Sequence, residues 1–295
     1  MTRVVVLGAN GQLGTELVGV LRVAEGYDVR PLTHDEIEVG DPESVRAAVE
    51  RERPDVVINC AAFHRVDDCE DHPQEALRVN ALGALNVART CARLDAVCVH
   101  ISTDYVFRGR GRGPYRGDDP PSPLNVYGAS KLAGEHLVAL ACPRSLVVRV
   151  ASLFGPAPVR GKSRHFVDAI LAQAVAAKPL AVVNDIRMSP TYTPDAARAL
   201  EALVRQHARG LIHVTNAGSC SWYEFATQIV SFAGLGAVVR LVSASPNSTR
   251  ARRPADSSLR SARATDDVRR CLRPWDEALK AYLAARSGAV GTHAT

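Results

Sequence analysis

Over the first half of the chain, short apolar-rich runs alternate with longer stretches whose apolar residues recur at helical spacing. Residues 4–7, 29–32, 56–60, 97–102 and 146–150 are the apolar runs, and each reads as a strand covered on both faces. Between them, 12–24 and 74–94 carry helical periodicity, and Asp41 before Pro42 predicts a capped helix start. A further helix, bearing Tyr127 and Lys131, follows a Gly/Arg/Pro-rich loop at 108–123. This alternation predicts an α/β fold, a Rossmann-type doubly wound parallel sheet occupying residues 1–150. The pattern then loosens. Helices are expected at 166–176, at 194–206 behind a capping Thr193, from the Ser221/Glu224 capping box to 233, and at 275–285. Strands are expected at 180–183, 211–214 and 238–242, with a polar irregular stretch at 243–263. Residues 151–295 are therefore expected to form a smaller substrate-binding lobe, with some segments returning to the first domain and 286–295 as a frayed tail.

The composition narrows the class. A chain of 295 residues, 46% apolar and 23% charged, can bury a core without disulfides or metals. It contains no apolar run long enough to cross a bilayer, and no secretory signal precedes Val4. The seven cysteines are odd in number and include no C-x-x-C pair, which argues against a disulfide framework or zinc and places the chain in a reducing cytoplasm. The net charge of +5 comes mostly from arginine, densest at Arg250, Arg252, Arg253, Arg260, Arg263, Arg269 and Arg270. A solvated face and a phosphate-contacting role for one or two of these arginines are both open readings. No nucleic-acid-binding motif accompanies the charge, so nucleic acid is not an expected partner.

The first candidate site is Gly8-Ala9-Asn10-Gly11-Gln12-Leu13-Gly14, between the first strand and the first helix. Gly8 permits the tight turn, Gly11 lets the backbone approach a pyrophosphate, and Gly14 allows close helix–strand packing. The free N–H groups of the helix start favour an anion there. The loop, with Asn10, Gln12 and Leu13, is thus expected to cradle a dinucleotide. Its G-x-x-G-x-x-G spacing is that of the short-chain dehydrogenase/reductase superfamily. The second strand ends without an acid and carries Arg30, which points to NADPH, with NADH as the alternative.

The second is Tyr127-Gly-Ala-Ser-Lys131, which sets a phenol and an ammonium on one helix face. Hydride delivery to a ketone builds an alkoxide that needs a proton. A phenol titrates near about 10, and moving it to ~7 means stabilising the phenolate by roughly 4 kcal/mol. Lys131, together with the nicotinamide end of the cofactor, is expected to supply much of that. Ser102 and Thr103 end the fourth strand, where a hydroxyl can donate to the substrate carbonyl.

With these residues in place, further stretches resemble the dTDP-4-dehydrorhamnose reductase family. They are Cys60-Ala61-Ala62, Ser102-Thr103-Asp104-Tyr105-Val106-Phe107, Pro123 to Gly128, Lys131 to Glu135, Ser189 to Thr193, Ser221-Trp222-Tyr223-Glu224-Phe225-Ala226 and Arg253-Pro254. The resemblance implies reduction of the 4-keto group of dTDP-4-dehydro-L-rhamnose to dTDP-L-rhamnose. It implies Thr103, Tyr127 and Lys131 as the catalytic set, and Asp104 and Trp222 as substrate-facing. Glu38 and Val39 match the pair near the adenine, and Ala61, Ala62 and Asn80 match further cofactor-side positions. The acidic residues with which some members dimerise around magnesium are not assigned in this chain, so Mg2+ and a homodimer stand on the resemblance alone.

The chain departs from the family pattern at Gly117, at Asp185-Ile186-Arg187-Met188, at His165 and at Asp256. These positions bear on the sugar rather than on hydride chemistry. Two other readings share the motifs: a ketoreductase for another nucleotide deoxysugar, and a non-catalytic dinucleotide-binding subunit resembling the regulatory subunit of methionine adenosyltransferase. Intact Thr103, Tyr127 and Lys131 argue against the second.

Overall fold

The computed structural model describes residues 1–110, 113–157, 165–244, 249–261 and 263–291. Its first half is a run of strand–helix units: β1 (Thr2–Leu7), α1 (Gln12–Val23), β2 (Tyr27–Leu32), α2 (Pro42–Glu52) and β3 (Val56–Asn59). Next come the short α3 (Val66–Asp71) and α4 (Pro73–Leu77), then α5 (Ala84–Arg93), β4 (Val97–Thr103), α6 (Val126–Ala141) and β5 (Ser145–Val150). The helix expected over 74–94 exists but is not uniform. Between α4 and α5, Arg78–Gly83 is wound as a π-helix. That places Asn80 on the buried side, where its side chain is used.

The second half supplies β6 (Leu153–Phe154), α7 (Phe166–Val175), β7 (Leu180–Val183), β8 (Arg187–Met188), β9 (Thr191–Tyr192) and α8 (Thr193–Arg205). It continues with β10 (Gly210–His213), β11 (Cys220–Ser221), α9 (Trp222–Phe232), β12 (Val239–Val242), α10 (Asp266–Cys271) and α11 (Trp275–Gly291). Three expectations shift. Thr193 is the first residue of α8 rather than its cap, and its hydroxyl is buried without a partner. Helix α11 runs on through Gly291, with Arg286 paired to Asp168 at 2.6 Å, so the chain is not frayed from 286; 292–295 lie outside the described residues. The described residues of 243–263 form no helix or strand, as expected, but Arg250 and Arg253 among them are tied down by ion pairs.

Six parallel strands form the main sheet in the order β10-β5-β4-β3-β1-β2. One face is covered by α1 and α8 around Leu17, Leu21, Leu200 and Leu203, the other by α2, α5 and α6 around Val45, Val49, Val87 and Val138. Strand β10 comes from the second half of the chain and pairs with β5. The remaining elements build a separate aromatic core around Phe154, Tyr192, Phe225 and Tyr282. The strand order reverses between β1 and β3, and their C-terminal ends open the crevice where such sheets bind ligands.

Candidate active site

A cavity of about 610 Å³ occupies that crevice, within the size range of cofactor sites. Its floor is the glycine loop. Gly8 has φ +71° and lies so close to β3 that a Cβ would sit 3.0 Å from the Ala61 nitrogen. A Cβ on Gly14 would lie 2.3 Å from the Gly8 carbonyl oxygen, so only glycine lets α1 start here. Asn10, Gly11, Gln12 and Leu13 line the same floor, and Ala61 and Ala62 form the wall beyond β3. Glu38 and Val39 line the far end with Thr33 and His34, and Tyr127 and Lys131 close the near end with Ser102. The concave backbone and the open start of α1 fit a dinucleotide pyrophosphate.

Arg30 is not there. It sits mid-strand on β2, with its guanidinium 3.1 Å from Asp28 and 3.9 Å from Glu52 at the C-terminal end of α2. Both partners belong to the edge of the sheet away from the cavity, so the arginine points from the cofactor side and the cue it gave for NADPH fails. Thr33 and His34, the residues following β2, are what the chain presents at the cavity. Asn80 is also displaced from its expected role. Its Oδ1 accepts from the Phe63 nitrogen at 2.8 Å, and its Nδ2 donates to the Phe63 carbonyl and to Ser130 Oγ, each at 3.0 Å. It clamps the Phe63 wall to α6 and does not itself line the cavity.

The candidate reacting groups meet where β4 ends. Asn125 caps α6 by accepting from Gly128 at 2.8 Å, which starts the helix with Tyr127 and Lys131 on its inner side. The Thr103 hydroxyl lies within hydrogen-bonding reach of Tyr127 and is 3.0 Å from Asp104 Oδ1. Ser102 is already committed, donating to Glu135 Oε1 at 2.5 Å. Thr103 likewise donates to Asp104 Oδ1, but of the two hydroxyls at the strand end it is the one beside Tyr127. Burial pushes Asp104 up to about 6, against the hydrogen bonds from Ser257 and Thr103.

The phenol behaves differently from expectation. Burial pushes Tyr127 above its ordinary value, and the hydrogen bond with Thr103 offsets this only in part. The Lys131 ammonium is itself buried, brought down to about 8 by desolvation, and its Nζ faces His100 Nε2 at 3.4 Å. The protein's own groups thus keep Tyr127 as a protonated phenol, the form a proton donor requires.

The arginine-rich stretch is a strap. Arg253 pairs with Asp67 at 2.8 Å, Arg250 with Asp71, and the Ala251 nitrogen donates to Asp67 at 3.0 Å. The Arg252 carbonyl accepts from the Asn125 side chain at 2.8 Å. The second half of the chain is so fixed to α3 and to the cap of α6. The acidic run Asp67-Asp68-Cys69-Glu70-Asp71 was the sequence signal for this contact. Trp222 lies elsewhere, packed on Phe166 with ring centroids 4.4 Å apart in the aromatic core, and it does not line the cavity. Among the described residues, no group of three or more His, Cys, Asp or Glu could hold a metal ion, and no helix is long and apolar enough to cross a membrane.

Comparison with known proteins agrees with this geometry. The family model described as the RmlD substrate binding domain matches residues 1–287. The chain is 43% identical to the spore coat polysaccharide biosynthesis protein SpsK of Bacillus subtilis, over 98% of this chain and 99% of that one. It is 39% identical to the dTDP-4-dehydrorhamnose reductase of Mycolicibacterium smegmatis, over 97% and 86%. Among solved structures, the Bacillus anthracis dTDP-4-dehydrorhamnose reductase in complex with NADP superposes with a TM-score of 0.89 at 34% identity, covering 96% of this chain and 99% of that one. The glycine loop, the Thr103–Tyr127–Lys131 group and this likeness along nearly the whole chain make it a member of the dTDP-4-dehydrorhamnose reductase family.

Proposed function

We propose that the protein reduces the 4-keto group of dTDP-4-dehydro-L-rhamnose to give dTDP-L-rhamnose, with NADPH as reductant, in the cytoplasm. The observation that carries this reading is that Tyr127 and Lys131 line the glycine-loop cavity, with the buried Thr103 hydroxyl within hydrogen-bonding reach of Tyr127. When bound, NADPH supplies the hydride. Thr103 donates a hydrogen bond to the keto oxygen and polarises the carbonyl. Tyr127, held protonated by burial, gives its proton to that oxygen as negative charge develops on it. Lys131 presents a buried positive charge to the same oxygen pair. The cradle residues are Gly8, Asn10, Gly11, Gln12 and Leu13, with Glu38, Val39, Ala61 and Ala62 around them. In this reading residues 1–150 hold the cofactor and 151–295 supply most of the sugar-nucleotide contacts, Trp222 among them, while Asp104 reaches the sugar from the end of β4.

Three of the residues that depart from the family pattern are engaged by neighbouring side chains or backbone. His165 is 3.0 Å from Asp168, Arg187 pairs with Glu224 at 3.2 Å, and Asp256 accepts from the Ser258 nitrogen at 3.0 Å. That favours the rhamnose precursor over a different deoxysugar. The test is NADPH oxidation with dTDP-4-dehydro-L-rhamnose, followed by identification of the product sugar. Turnover of another dTDP-4-keto sugar at higher kcat/KM, with little of this one, would replace the substrate; no turnover of any would return the non-catalytic reading.

A further inference from the structure

His100 lies in the middle of β4, 1% exposed, and the chemistry above leaves it unused. Its Nε2 is 3.4 Å from Lys131 Nζ, and its Nδ1 has no hydrogen-bond partner. Lys131 is 2% exposed, and His100 is the hydrogen-bonding group that the described residues bring to its ammonium. Helix α6 can come this close because of Gly134. A Cβ there would lie 2.3 Å from the Asn80 carbonyl oxygen and 3.3 Å from His100 Nε2. An ammonium only donates, so Nε2 is the accepting nitrogen and the ring proton resides on Nδ1.

We propose that His100 is a positioning residue for Lys131: its neutral ring accepts from Nζ and holds the ammonium at the Tyr127 end of the cavity without cancelling its charge. A carboxylate in this place would hold the lysine but quench its field at Tyr127. The ring stays neutral because burial, and then the charge of Lys131, keep His100 well below its ordinary value. The other groups facing the pair are Glu135 and Tyr127 on α6 and Cys60 after β3, with Arg149 of β5 bound to the far side of Glu135. Glu135 and Cys60 favour the charged lysine but stand outside hydrogen-bonding range, so neither fixes its direction.

The proposal rests on reading Tyr127 and Lys131 as the catalytic pair, and its test does not depend on turnover. In cofactor-free protein, ¹⁵N imidazole shifts report the His100 tautomer, and ¹³Cε shifts follow the titration of Lys131. The expected results are an Nδ1–H tautomer in the wild type and a Lys131 pKa lower by about half a unit or more in His100→Leu, where the ammonium has lost its acceptor. His100→Gln, whose carbonyl can accept, restores the wild-type titration. In turnover, kcat of His100→Leu falls about tenfold and the alkaline limb moves to lower pH, while His100→Gln recovers most of both. An Nε2–H tautomer in the wild type overturns the proposal with no variant needed. So does an unchanged Lys131 titration in His100→Leu, or equal impairment of both variants in step with their melting temperatures. Absence of keto-sugar reduction by the wild type would remove the functional reading and leave the titration to decide the positioning role.

Discussion

Arg149 on β5 and Glu135 on α6 form a two-point ion pair, Nε to Oε1 at 2.8 Å and Nη2 to Oε2 at 2.6 Å, with side chains 3% and 5% exposed. Glu135 also accepts from Ser102, the residue before Thr103, so the pair ties α6 to the end of β4. Removing one partner leaves the other charge buried and unpaired. Glu135→Gln should therefore cost about 3–5 kcal/mol and lower the melting midpoint by roughly 10 °C. Replacing both residues with methionine should cost less than Glu135→Gln alone. Thermal unfolding of the two variants checks this, and a double variant worse than the single one would show that the pair contributes net stability beyond mutual neutralisation.

Tyr127→Phe should fold and retain cofactor affinity but lose 10²–10⁴-fold in turnover, the usual cost of a missing proton donor. Activity within about threefold of wild type would remove that role.

The titration of Lys131 sets two pH effects. Its charged form is lost as pH rises through about 8, and Tyr127 stays protonated beyond that, so kcat/KM should fall on the alkaline side near pH 8. Stability runs the other way. A lysine depressed in the fold is disfavoured while charged, and this penalty lifts as pH rises from about 8 towards the ordinary lysine value. Wild type should accordingly gain stability relative to Lys131→Met over that window, and Lys131→Met should show a weak activity with no limb near 8. Paired pH profiles of rate and of denaturant midpoint measure both.

Arg30→Asp should leave the ratio of kcat/KM for NADPH and NADH unchanged, because Arg30 faces Asp28 and Glu52. It should instead reduce stability by gathering a third carboxylate beside those two. His34→Asp, at the cavity end after β2, should shift the ratio towards NADH, since a carboxylate there repels a 2′-phosphate. A ratio moved by Arg30→Asp and not by His34→Asp would reverse the assignment.

Residues whose role follows from backbone shape were legible in the sequence; those whose role depends on side-chain direction were less so. Gly8 and Gly14 are dictated by close approach, and the strand–helix alternation fixed where that approach occurs. Tyr127 and Lys131 share a helix face at any rotamer. Arg30 was misread because alternation along β2 determines the face of the sheet but not whether a long side chain runs towards the cavity or away from it. His100 gave no signal, since one histidine inside an apolar strand is unremarkable until Gly134 brings Lys131 beside it. The burial that raises Tyr127 and lowers Lys131 is invisible in the sequence, which displays only the charge. The strap was readable only by matching an acidic run to a basic one some 180 residues away, which charge pattern suggests but chain order conceals.

Trp222 tests the boundary between packing and recognition. It is the first residue of α9, behind the Ser221 capping box, so its backbone is fixed. Its indole lies 4.4 Å from the Phe166 ring at 60° and 6.4 Å from Phe225, and it remains partly exposed. Truncation to alanine should therefore destabilise the aromatic core, though by less than the about 3–5 kcal/mol of a fully buried tryptophan. A raised KM in that variant alone would be ambiguous, because a loosened core could displace the sugar-nucleotide contacts. Trp222→Phe separates the effects: a phenyl ring keeps the contact with Phe166 while removing the indole N–H and part of the exposed face. If the exposed face meets the sugar nucleotide, Trp222→Phe should melt within a few degrees of wild type yet raise the sugar-nucleotide KM several-fold, with NADPH Kd unchanged. A phenylalanine variant with wild-type KM, beside an alanine variant that loses stability and KM together, would make Trp222 a packing residue and leave substrate contact to Asp104 and its neighbours.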